Sequence, residues 1–122
     1  MTKLFLILGI VLVFIFAAYA EPPDGYEWSS PIGALKRNDK NPNAYIFDTT
    51  PGNHLTSNKQ IVVPYNTRKD NELTDLGKTL KGKLLKIDGI ADVAVEYRRL
   101  WIQKFPLDDW AVILPEMQKV LK

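Results

Sequence analysis

Residues 84–121 read LLKIDGIADVAVEYRRLWIQKFPLDDWAVILPEMQKVL, and this stretch decides the fold. It opens on the last turn of a helix, which Asp88-Gly89 ends, because glycine accepts the left-handed conformation that follows a helix C-terminus. Residues 91–97 and 100–105 then read as strands joined at Arg98-Arg99, an antiparallel hairpin. Val93, Val95 and Tyr97 mark one face of the first strand. Leu100, Ile102 and Lys104 share a face of the second, which leaves Trp101 on the opposite side. The loop lacks the Gly or Asn of a tight primed turn, so its register stays open. Pro106 and Asp108 open a last helix, with Asp108 as its N-cap. The apolar stripe of that helix is Trp110, Ile113, Leu114, Met117, Val120 and Leu121. Pro115 removes a backbone bond, so the helix either kinks there or starts there.

Upstream, Leu73, Leu76, Leu80, Leu84 and Ile87 fall on one narrow helical face at about 100° per residue, with Asp70 or Asn71 as the cap. Gly77 and Gly82 each cost roughly 1 kcal/mol in a helix interior, so this helix depends on packing. Lys78, Lys81, Lys83 and Lys86 read as its solvated surface. Residues 43–50 (NAYIFDTT) alternate as a strand, with Tyr45 and Phe47 facing one way and Ala44 and Ile46 the other. Pro51-Gly52-Asn53 is a turn. Residues 60–65 (QIVVPY) read as a second strand, kept at an edge by Pro64. The order ββαββα predicts an α+β fold: a small antiparallel or mixed sheet of about four strands with two helices packed on one face.

Residues 1–20 are a targeting segment. Lys3 supplies the positive start, residues 4–18 form an apolar run, and Ala18 and Ala20 put small residues where a signal peptidase cuts. A cleaved signal peptide predicts export to a periplasm or the exterior; an uncleaved segment predicts a membrane anchor through residues 4–20. Residues 21–40 read as a linker or arm, rich in Pro, Gly, Ser and charge, with Tyr26, Trp28, Ile32 and Leu35 tacking it onto a domain at residues 41–122.

Lys3 departs with the leader, leaving 15 basic against 14 acidic residues in 102. That balance predicts no nucleic-acid partner, and membrane contact only through the N-terminal segment. The absence of cysteine excludes disulfides, thiolate-held metals or clusters, and thiol catalysis within these residues.

The motif order resembles a known family. Lys86-Ile87-Asp88-Gly89-Ile90, a hairpin, and Trp110-x-x-x-Leu114-Pro115-Glu116 look like the N-terminal domain of Nfu/NifU-type iron–sulfur cluster scaffold proteins. Asn41-Pro42-Asn43-Ala44-Tyr45-Ile46-Phe47 resembles the opening strand of that domain, so the likeness spans residues 41–121. What the resemblance implies is the fold and a habit of docking to proteins. In that family a separate C-terminal domain carries the cluster through Cys-x-x-Cys, which has no counterpart in these residues.

No chemistry-bearing constellation stands out. His54 is the only histidine, in a polar loop where solvation explains it, and no second His or Cys completes a metal site. A cap accounts for Asp108, solvent exposure for Asp109, and turn chemistry for Asp88 and Asp92. No Ser-His-Asp set or phosphate-binding Gly loop occurs. The expectation is a non-catalytic protein-interaction module without cofactor, exported or membrane-anchored, accessory to iron or iron–sulfur handling. Arg98, Arg99 and Trp101 are the partner contacts, since aromatic and Arg side chains dominate interface energetics. Trp101 lies either on a sheet face free of helices, beside Tyr45 or Phe47, or under the arm with Trp28 as its partner. A different class remains open: a cell-envelope accessory that binds a hard cation weakly through carboxylates and His54.

Overall fold

The computed structural model describes residues 27–67 and 70–122. The leader, with its cleavage residues Ala18 and Ala20, lies outside the described residues, as does the start of the arm. Five antiparallel strands form one sheet: β1 (Trp28–Ser30), β2 (Gly33–Arg37), β3 (Ala44–Thr49), β4 (Ile90–Val95) and β5 (Arg99–Lys104), in the order β1-β2-β3-β5-β4. Among the described residues two α-helices, α1 (Asp75–Leu85) and α2 (Trp110–Leu121), complete an α+β fold.

Alternation within the strands produces the two faces. Trp28, Leu35, Phe47, Leu100 and Val95 sit opposite one another in a row that crosses all five strands. Tyr45, Ile102 and Val93 form the next row on the same side. Both helices bury their stripes there. Leu80 and Leu84 of α1, and Trp110, Ile113, Leu114, Met117 and Leu121 of α2, join these strand residues in one core. The ring of Tyr45 meets Trp110 edge-on at 4.6 Å, which anchors α2 over β3.

Three features depart from the sequence expectation. The described part of the supposed linker supplies β1 and β2, so five strands stand where about four were expected. Residues 60–65 form no strand. Only Val63 bonds the edge of β4, exchanging both backbone bonds with Val95 at 2.8 Å. The next amide on the same edge, Val93, instead donates to the carboxylate of Asp92 at 2.8 Å, and Asn66 N–H donates to the same carboxylate at 2.6 Å. This closes the edge against pairing with other chains.

The caps also moved. Thr74, not Asp70 or Asn71, caps α1 by accepting from Gly77 N–H at 3.1 Å, and Asp109, not Asp108, caps α2 through Ala111 N–H at 2.9 Å. Asp70 is engaged elsewhere, holding the buried ammonium of Lys81 at 3.0 Å, so Lys81 does not belong to the solvated face. Pro115 lies inside α2, which begins five residues earlier. Gly77 is needed for contact rather than tolerated: a Cβ there would collide with the carbonyl of Leu55, whose loop lies against the helix.

Candidate functional site

β5 sends Leu100, Ile102 and Lys104 into the core and therefore Arg99, Trp101 and Gln103 to the face that carries neither helix. The register fixes their neighbours. Trp101 sits between Ile46 of β3 and Ala94 of β4, and Arg99 sits beside Asp48. Tyr45 and Phe47 are buried on the other face, so Ile46 is the strand neighbour of Trp101 rather than either of them. Trp28 does not shield it. Its ring packs on the core side, 6.2 Å from Phe47.

Polar contacts hold the half-buried indole in one orientation. Trp101 Nε1 donates to Glu96 Oε2 at 2.8 Å, and the Arg99 guanidinium lies 5.3 Å from the ring centroid. Arg99 forks onto Asp48, donating from Nε to Oδ1 at 2.6 Å and from Nη2 to Oδ2 at 3.2 Å. Lys36 adds a longer contact to Asp48 at 3.6 Å. The bond to Asp48 holds the Arg99 pKa above the usual arginine value, against the opposing effect of burial, and the charges of Asp48 and Glu96 add to it.

Arg98 has a different job. Its guanidinium donates twice to the carbonyl of Thr49, at 3.2 and 2.8 Å, while Thr49 N–H donates to the carbonyl of Arg98 at 2.9 Å. It clasps the hairpin turn to the end of β3. Beside this clasp an open cleft of about 600 Å³ adjoins the Arg99–Asp48 pair. Ile61 and Val62 form its apolar wall; Lys36, Lys59, Arg98 and Arg99 outnumber Asp48 and Glu96 among its charges.

His54 stacks on Tyr97 with centroids 4.3 Å apart and planes 21° from parallel, and Tyr97 OH lies 3.1 Å from His54 Nε2. Its partner is thus a phenol and not a carboxylate. Among the described residues no group of three or more His, Asp or Glu is placed to hold a metal ion.

Ile46, Asp48, Lys36 and Glu96 escaped the sequence reading. Alternation through NAYIFDTT does put Ile46 and Asp48 on one face, but pairing with Trp101 and Arg99 needs a register that no local signal states.

The fold and site define a small α+β domain with one sheet face packed under two helices and the other presenting a fixed Trp and an Arg–Asp pair. Comparison with protein-family models and with curated proteins finds no match. Among solved structures the chain is similar to the solution NMR structure of a NifU-like protein from Saccharomyces cerevisiae, 23% identical, covering 84% of this chain and 86% of that one with a TM-score of 0.47.

Proposed function

We propose that the chain is a non-catalytic protein-docking module, exported or membrane-anchored, whose contact surface is the sheet face around Trp101. The observation that supports this reading is a half-buried Trp held rigid in the middle of a sheet face that carries neither helix. A preorganised aromatic loses little freedom on contact and is the residue type that dominates interface energetics. The excess of basic groups in the adjoining cleft favours a partner segment that carries carboxylates beside an apolar side chain. The motif resemblance adds a partner class, a protein of iron or iron–sulfur handling, reached by contact rather than by holding a cluster.

The test uses the wild-type chain and the variants Trp101→Ala and Arg99→Glu as baits in extracts of the native host. A partner should be retained by wild type and weakened about tenfold or more by Trp101→Ala, roughly 1.4 kcal/mol, with the variant still folded by circular dichroism. Identical recovery by wild type and Trp101→Ala rules this surface out.

A further inference from the structure

At the end of the sheet remote from Trp101's cleft, three consecutive apolar residues, Phe105, Pro106 and Leu107, stand at the surface. Phe105 is 52% and Leu107 95% exposed, and Val112 in the first turn of α2 is 72% exposed. Scattered exposed apolar residues need no explanation, but a run of them on one turn does.

The turn is rigid. Asp108 N–H donates to Phe105 O at 3.0 Å, and Phe105 N–H donates to Gly89 O at 2.9 Å. From beneath, the buried Lys104 ammonium donates to Phe105 O at 3.3 Å and to Pro106 O at 3.1 Å. The side chains are displayed on a fixed backbone, so contact with another apolar phase orders little that is not already ordered.

The path of the chain says which phase. β1 starts at Trp28, opposite Leu35, and finishes at Ser30, opposite Gly33, and Gly33 pairs with Thr49 at the hairpin end. The chain therefore runs into β1 from the direction of the other end, the one where Lys104 leads into the turn, with Trp28 itself level with Leu100. Only residues 21–27 separate the apolar run of residues 4–18 and its closing Ala20 from Trp28. Seven residues reach at most about 25 Å at roughly 3.3–3.6 Å each. β1 and β5 are three strand spacings apart, about 14 Å at about 4.8 Å each, and the turn lies a further five residues along from the level of Leu100, about 17 Å, so about 22 Å separates Trp28 from Phe105. Seven residues are therefore long enough for a segment held in a bilayer to leave the turn at the same surface. Lys83 and Lys86 beside Val112 are matched by Asp88 and Glu116, so apolar insertion rather than attraction to anionic lipid governs the contact.

We propose that residues 105–107 form a membrane-contact knob that seats this end of the domain on the bilayer holding its N-terminal segment. The proposal takes the anchor reading of residues 1–20 and is independent of the docking face.

The absence of cysteine allows single-site labelling of the full chain, reconstituted in phosphatidylcholine vesicles that carry spin-labelled lipid. A fluorophore on Leu107→Cys should be quenched severalfold more than the same fluorophore on Gln60→Cys at the hairpin end. Adding Phe105→Asp should lower that quenching severalfold. Equal quenching at both sites, or quenching indifferent to Phe105→Asp, overturns the proposal. So does a Leu107 label already shielded before lipid is added, which assigns the turn to a protein contact.

Discussion

The indole of Trp110 donates a 2.7 Å hydrogen bond to the carbonyl of Pro42, joining the start of the last helix to the Asn41-Pro42-Asn43 turn that opens β3. Lys104 strengthens the same junction, its backbone N–H donating to Asn43 O at 2.9 Å and its ammonium to Asn43 Oδ1 at 3.1 Å. The residues that carry the family resemblance therefore meet in space. Trp110 and Asn41-Pro42-Asn43 are joints of the fold, whereas Ile46 of the same stretch borders Trp101.

Trp110→Phe keeps an aromatic in the core but leaves the Pro42 carbonyl without its donor. The expected cost is about 1–3 kcal/mol, read as a lower denaturation midpoint at unchanged m value. A loss below a few tenths of a kcal/mol means that water replaces the bond and the joint is looser than described.

Gly89 and Gly82 should respond to alanine with opposite signs. Gly89 has φ +97°, and a Cβ there would meet the side chain of Ile113 at 2.8–2.9 Å. Gly89→Ala should destabilise by roughly 1–3 kcal/mol. Gly82 sits exposed inside α1 with open space around it, so Gly82→Ala should stabilise by roughly 0.5–1 kcal/mol. Thermal unfolding of the two variants checks both signs at once.

Asp92 closes the β4 edge and also faces Tyr65. Burial, and secondarily the charge of Asp92, raise the Tyr65 pKa above its ordinary value. Asp92→Asn should bring the phenol back toward that value in an absorbance titration. Asp92→Ala should cost about 1–3 kcal/mol and increase self-association in sedimentation. A monodisperse Asp92→Ala chain would show that residues 63–66 guard the edge without it.

Lys104 makes stability depend on pH. Burial pushes its ammonium below the ordinary lysine value, and the charges of Asp108 and Asp109 offset this in part. The unfolded chain therefore still holds the proton where the folded chain has begun to release it. The stability from this group is complete above the unfolded pKa of about 10.4 and is lost as pH falls through the lowered folded value. The stability difference between wild type and Lys104→Met should accordingly grow as pH rises from neutral toward 10.4 or so. A flat difference would contradict the assignment of Lys104 as a desolvated ammonium.

What the sequence determined by itself was whatever a local period or turn residue encodes. The spacing of Leu80 and Leu84, the stripe from Trp110 to Leu121, the alternation of Leu100, Ile102 and Lys104, and the turn at Gly89 all write the two helices, the hairpin and the α+β class directly into the chain. Tertiary structure decided the rest. β1 and β2 were hidden in a stretch without period, because Gly33 and Ala34 form strand only when β3 offers its edge. Residues 60–65 had strand composition, but Asp92 and Asn66 already occupy the edge beyond Val63. Capping of α1 went to Thr74 while Asp70 was drawn to the buried Lys81, and capping of α2 went to Asp109. Arg98, Arg99 and Trp101 are adjacent in sequence, yet only the register with Asp48, Ile46 and Thr49 separates a structural clasp from a binding face. Side-chain period is a property of one segment, whereas a site depends on which segments become neighbours, and that is settled by the free energy of the whole packed chain.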